Sequence, residues 1–319
     1  PGDNVYVVDV QVSDGKGGTD TQRISVTVDD VAENAPPVAG DDNVITNVTD
    51  GTALVIPKFA LLANDTDVDG DTLDVTQVGS AINGSVDPGT DSITFMPAAG
   101  PAWNRTENFN GNSGGFDYED DVFRPNDGNS GDPAVGNLVS SPGGSTALHV
   151  RLGGESGAAS QINGGWITTF DLAFATTVTI SVDVWIATSS ATDADDSAEL
   201  RVSLDGTQYG SFNGAHGSAV LRVDGGASAN GKFSHSFSLE AGTHTLTLGA
   251  WANHLTGTDE VVHAYFDNLN ISAAGVTFTG GDFDYTASDG ALGDEGHVKV
   301  TTVSGHTLTG TAASDIFIA

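Results

Sequence analysis

The amino-acid sequence predicts an all-β protein made of β-sandwiches, one of them split by another. Three observations carry that prediction. Apolar residues recur at every second position in short runs such as VYVVDVQVS, RISVTV, TALVIP, TVTISVDVWI, AELRVSL and AYFDNLNIS, the spacing that turns one face of a strand toward a core. Clusters of Gly, Asn and Asp separate these runs, with 42 Gly in all and no helical period; many short strands joined by turns indicate sandwiches rather than a parallel α/β sheet. The phrase VDVQVSDGKGGTD near the start returns as FDYTASDGALGDE near the end, with Asp9, Ser13, Asp14 and Gly15 matching Asp284, Ser288, Asp289 and Gly290 at a constant offset of 275 residues. Repeats that share an offset share a fold unit.

In chain order, residues 5–28 read as a hairpin that closes one sandwich, so that the N-terminus starts inside a domain, as in a piece of a larger chain. The segment VDDVAENAPPVAGDD, with Pro36 and Pro37 side by side among carboxylates, reads as a linker. A new module then runs through NVITNVTDGTALVIP, ANDTDVDGDTLDV and GSVDPGTDSITFMPAAG, but no closing hairpin follows. That hairpin waits until GVTFTGGDFDYTASDG. The first SDG hairpin therefore ends a preceding module, and the second ends a module interrupted by an insert. Loop-closure entropy rises slowly with length, so an exposed loop tolerates such an insertion. The expected division is residues 1–34 for the hairpin and linker, 35–99 with 274–305 for the split module, 100–273 for the insert, and 306–319 for a tail.

The linker DDVAENAPP, the ANDTDVDGDTL phrase and the SDG hairpin together resemble the bacterial Ig-like or cadherin-like extender modules of large calcium-dependent adhesins of the RTX type. The end of the chain, LTGTAASDIFIA, is similar to the opening of a calcium-binding nonapeptide repeat in type I secreted proteins. The insert opens with GGFDYEDDVF and closes with HAYFDNLNIS, which resembles the jelly-roll sandwich of carbohydrate-binding modules. The resemblance implies an Ig- or cadherin-like sandwich split by a jelly roll. It also implies a bacterial cell-surface location outside the cell, a role in adhesion and biofilm, Ca2+ as cofactor, and neighbouring modules of the same chain as partners. A monomer is expected.

Composition agrees with cations as partners. The formal charge is −33 and the sequence pI about 4.1, which repels nucleic acid and anionic membranes. No run approaches the length of a membrane span. With 0 Cys, neither disulfides nor thiolate metal sites stabilise the fold.

Calcium takes hard oxygens, and short Asp-x-Asp spacings let alternate side chains converge on one ion. Asp65, Asp67, Asp69 and Asp71 have that spacing, with Gly70 for a tight turn. An EF-hand is not expected, because the twelfth position from Asp65 is Thr76 rather than Glu. The adhesin resemblance adds Asp29, Asp30, Glu33, Asn34, Asp41 and Asp42 as clamps between modules, and Asp14 and Asp289 at module edges. The jelly-roll resemblance adds Asp117, Glu119, Asp120 and Asp267 near paired terminal strands.

Alternation in TVTISVDVWIA turns Val178, Ile180, Val182, Val184 and Ile186 inward and leaves Asp183 and Trp185 on the opposite face. THTLTLGAWAN likewise turns Leu246 and Leu248 inward and leaves Trp251 and Asn253 opposite. An indole on a polar sheet face stacks against the CH-rich face of a sugar while acids and amides meet its hydroxyls. Trp185, Asp183, Trp251 and Asn253 are thus candidates for a glycan or surface-ligand platform; the alternative is that a loop or the host module covers one or both Trp. No G-x-S-x-G, H-E-x-x-H or E-x-D-x-x-E motif is present, so catalysis is not expected. A purely structural spacer is the rival to a ligand-binding insert.

Overall fold

The computed structural model describes residues 4–29, 33–123, 134–154, 159–214, 217–305, 307–311 and 314–319. It is nearly all β. Strands β1 (Val5–Ser13) and β2 (Thr19–Thr27) form an exposed antiparallel ribbon. The first part of the host module holds β3 (Asp42–Thr46), β4 (Leu54–Pro57), β5 (Asp74–Ile82), β6 (Gly84–Pro88) and β7 (Ser92–Pro97). The insert begins with β8 (Trp103–Glu107), β9 (Asp117–Asp120), β10 (Ala134–Ser140), β11 (Thr146–Gly153), β12 (Ala159–Leu172), β13 (Thr176–Thr188) and β14 (Ser197–Leu204). It continues with β15 (Thr207–Tyr209), β16 (Phe212–Gly214), β17 (Gly217–Ala219), β18 (Leu221–Asp224), β19 (Ser228–Leu239), β20 (Gly242–Leu255) and β21 (Val261–Ala273). The host resumes with β22 (Gly281–Ser288) and β23 (Gly293–Thr302), and β24 (Ser314–Ile318) follows. No helix among the described residues is long and apolar enough to cross a membrane.

Two hydrophobic cores form. One is built from both sides of the interruption: Val44, Leu54, Ile56, Leu61, Ile93 and Phe95 pack with Phe278, Phe283, Tyr285, Val298 and Val300. Its sheets have the orders β24-β3-β23-β22-β5 and β4-β7-β6. The other core lies wholly within the insert, between a sheet of order β10-β11-β21-β13-β19, with β8 also on β21, and a sheet of order β15-β14-β20-β12-β9, with β18 also on β14. Alternation explains both. In β13 every even-numbered residue from Thr176 to Thr188 is buried and every odd one is more open.

The two ends of the insert meet at a seam. Gly100 and Val276 exchange backbone hydrogen bonds of 2.9 Å each. A Cβ on Gly100 would lie 2.3 Å from the Phe174 ring, and one on Gly275 would lie 2.8 Å from the Ala102 nitrogen. Glycine is needed at both places for chain to lie directly on chain.

One expectation requires correction, and the tail has a definite place. The strand of the insert that pairs with its last strand is β8, through Trp103↔Ala273 to Glu107↔Leu269, whereas the acidic β9 pairs with β12 in the other sheet. The tail does not stand apart from the host. β24 adds to the open edge of β3 in parallel, with Ile316 and Ile318 against the host core. That pairing covers β3, which would otherwise offer an unpaired edge on that side.

Candidate functional site

The outer face of the β10-β11-β21-β13-β19 sheet carries a cross-strand row. His149 on β11 lies opposite Tyr265 on β21, Tyr265 opposite Trp185 on β13, and Trp185 opposite Asn230 on β19. Residues directly opposite on one face are close neighbours. Tyr265 is stacked on His149 with centroids 4.7 Å apart and tilted against Trp185 at 6.0 Å. The next row on the same face is Asp267, Asp183 and Lys232. From these rows Tyr265, Trp185, Asn230, Asp267 and Asp183, together with Asn268 and the Ser141–Ser145 turn, line a cleft of about 420 Å³.

Its polar groups are held in place. Asp183 accepts from Lys232 Nζ at 3.2 Å and from Asn268 Nδ2 at 3.0 Å. Asp267 accepts from the Ser145 hydroxyl and from the Asn268 backbone amide. A β-bulge produces this geometry. Inward residues of β21 are Val262, Ala264 and Phe266, then Leu269, Ile271 and Ala273, so the parity changes across Asp267 and Asn268, where the register shifts and Asn268 has φ of 50°. A bulge inserts one residue and re-aims its neighbours. Both side chains are thereby presented beside Asp183.

Behind Tyr265, His149 is 6% exposed and its Nε2 lies 2.9 Å from His263 Nδ1. Burial pushes His149 down to about 4, with His263 and Arg151 adding to the shift, and burial likewise lowers His263. An unfolded chain takes up the proton near 6.5, so it binds protons that the folded pair refuses. The contribution to stability is complete above pH 6.5 and is lost as pH falls toward 4, by on the order of 3 kcal/mol. Thermal melts of the wild type should fall over that window, and His149→Gln should flatten the slope.

Trp251 takes no part in this face. It lies on β20 in the other sheet, opposite Asn163 and Glu199, and is 2% exposed. The segment after β9 crosses over it: Phe123 N donates to Asn163 Oδ1 at 2.9 Å, and a Cβ on Gly249 would meet the Phe123 ring at 2.8 Å. Beneath that cover the Arg201 guanidinium stands 5.0 Å from the Trp251 ring and pairs with Glu199, both side chains fully buried. Asn253 is also spent on structure. Its Oδ1 accepts from Ser197 N and its Nδ2 donates to Asp195 O, tying the acidic 193–196 loop to β20. Of the two candidate Trp, Trp251 is thus covered, while Trp185 stands beside Tyr265 on the outer face.

The acidic phrases of the host do come together. Asn34 Nδ2 donates to Asp289 at 2.8 Å, Ala35 N to Asp69 at 2.7 Å, Ala39 N to Asp294 at 3.0 Å, and Gly40 N to Asp65 at 2.8 Å. Linker, ANDTDVDGDTL loop and SDG hairpin thus form one pole of the module. Asp67 Oδ1 accepts from the amides of Asp69 and Asp71 around the turn, while its Oδ2 is buried without a donor. Asp42 is 4% exposed and neither of its oxygens completes a hydrogen bond. Burial pushes it up to about 7, with Asp65 adding, although the nearby hydroxyls of Ser314 and Tyr285 favour the charge. Asp65, flanking Tyr285, is raised by burial as well.

Other expected ligands are scattered. Asp14 serves its own turn, accepting from Lys16 N and Gly18 N. Asp29, Glu33 and Asp41 are exposed, and Asp30 lies outside the described residues. Asp117, Glu119 and Asp120 on β9 belong to the sheet opposite that of Asp267, so those four do not form one cluster. Among the described residues, no three His, Asp or Glu side chains converge as a ready metal group.

Comparison with known proteins gives one family match, which runs from the host into the first strands of the insert. Residues 33–119 match the model of the cadherin-like domain. No curated protein sequence matches the chain. Similar solved structures include the module TmCBM61 in complex with beta-1,4-galactotriose, at 11% identity and a TM-score of 0.26 over 49% of this chain and 86% of that one. The CBM22-1 xylan-binding domain from Paenibacillus barcinonensis Xyn10C gives 11% identity and 0.27 over 56% and 98%. TmCBM27, described for mannan recognition, gives 14% and 0.26 over 63% and 98%.

Proposed function

We propose that the chain is a calcium-stabilised segment of a bacterial cell-surface adhesin, exported by type I secretion, in which the split cadherin-like module mounts an insert that binds glycan. The single observation that carries the binding role is the cleft in which Trp185 and Tyr265 adjoin on an outer sheet face, with Asp183, Asp267, Asn230 and Asn268 around them. Aromatic faces take the apolar face of a sugar ring; acids and amides sort its hydroxyls. The proposed role is binding: Asp183 and Asp267 are held in place by Lys232, Asn268 and Ser145. Glycan-array screening followed by titration tests this. Trp185→Ala and Tyr265→Ala should each weaken binding roughly tenfold or more, and unchanged binding in both variants would remove the site.

For calcium, the support is the acidic pole. A buried carboxylate without donors is costly unless a proton or a cation joins it, and Asp42, with Asp65 beside it and the Asp67 and Asp69 turn close in the same pole, offers hard oxygens for that cation. In the bound state the ion would neutralise the linker against its module. Chelator should lower the melting temperature of the wild type by several degrees at pH 8. Asp42→Asn should lose most of that response and melt above the wild type in chelator; calorimetry with and without calcium reads both.

A further inference from the structure

A second cleft, of about 440 Å³, opens at the edge of the insert between its two sheets. Tyr209 on β15 and Phe233 and His235 on β19 supply its aromatic wall, with Tyr209 5.4 Å from His235 and edge-on to Phe237 at 4.8 Å. Gln208, Ser218 and Ser234 add hydroxyl and amide groups. Among the described residues β19 is the last strand of its sheet, so the outer edge of its backbone also faces solvent with hydrogen-bonding capacity to offer.

This cleft adjoins the one at Trp185. Gly231 lines both. Lys232, whose ammonium reaches Asp183 in the first cleft, also lines the second. The two clefts lie on opposite faces of β19, since Asn230 pairs with outward Trp185 and Gly231 with inward Val184, and they meet around the edge of that strand at Gly231. A Cβ there would point to the inner face and meet only Leu221 Cδ2, at 3.9 Å, so the mouth of the second cleft is open at this residue. Its φ lies outside the left-handed range in which a side chain would be strained. The glycine leaves a passage that its own backbone conformation does not require.

We propose that the edge cleft is a second saccharide subsite, continuous with the first around Gly231, so that the insert takes a linear oligosaccharide lying across the β19 edge rather than one terminal sugar. This rests on the glycan reading of the Trp185 face. One end of the chain stacks on Trp185 and Tyr265, the middle crosses Gly231, and the other end lies against Tyr209 and His235.

The test is calorimetric titration with length-graded linear β-1,4-linked gluco-, manno-, xylo- and galacto-oligosaccharides, from mono- to hexasaccharide. For a series that binds, wild-type affinity should rise roughly tenfold or more from the shortest to the longest binder. Gly231→Val, which puts methyl groups in the mouth of the second cleft, should abolish that rise while keeping the short-chain affinity. His235→Ala and Tyr209→Ala should reduce it, and Trp185→Ala should weaken every length. Binding that does not grow with length, or growth that survives in Gly231→Val and His235→Ala alike, overturns the second subsite and leaves the Trp185 site standing. Failure of every series to bind overturns both.

Discussion

Arg201→Ala is expected to destabilise the insert by about 3–5 kcal/mol. Arg201 and Glu199 are both fully buried on the covered face of their sheet. Arg201 Nε donates to Glu199 at 3.1 Å, Nη1 to Gln208 at 3.2 Å, and the guanidinium lies between the Trp251 and Phe123 rings at 5.0 and 5.8 Å. Removing one partner leaves the other charge in a site that cannot solvate it. Replacing both by apolar residues of similar size is a different matter, because it removes the desolvation cost together with the attraction. The double variant Glu199→Leu with Arg201→Met should therefore melt far closer to the wild type than Arg201→Ala. Differential scanning calorimetry on the three proteins checks the order; a mild Arg201→Ala would contradict the buried pair.

The second large effect belongs to the host. Phe95 is fully buried before the interruption, and its ring meets Phe278 at 5.7 Å and Phe283 at 5.8 Å, both beyond it. Phe95→Ala should cost about 3–5 kcal/mol through lost transfer energy and the cavity left behind. The loss should be confined to one calorimetric transition. With a separate core in each sandwich, the host transition should move down while the insert transition stays. Equal shifts in both would mean that the two cores unfold as one.

The legible part of this molecule was its periodicity. The constant offset between the two SDG phrases announces an interrupted module because both are hairpin turns of one kind: Gly15 and Gly290 have positive φ, and the preceding Asp accepts backbone amides in each. Strict alternation along β13 likewise put Trp185 and Asp183 on the outer face. Failures arose where a second segment decides the outcome. Trp251 obeys alternation as well as Trp185 does, yet the 121–123 segment lies over it, and nothing local to THTLTLGAWAN records that cover.

Tyr265 and Asn268 escaped notice for a different reason. The local marker in their strand is the change of parity in AYFDNLNIS, with Phe266 and Leu269 both inward, which is the sign of a bulge. The edge role of β24 was hidden too, because DIFIA has too few residues for a pattern and its partner β3 is far away in the chain. The acidic pole was partly readable. Asp-x-Asp spacing marks the loop, but the burial of Asp42 follows from tertiary packing, with β23 and β24 pairing on either side of it and Tyr285 and Asp65 nearby.

The most direct test of the saccharide face is NMR observation of the indole N–H signals of the four Trp, assigned by single substitution, during titration with a binding oligosaccharide. Trp185 should shift in proportion to occupancy while Trp251 stays in place under Phe123. A titration in which Trp251 moves and Trp185 does not would contradict the account.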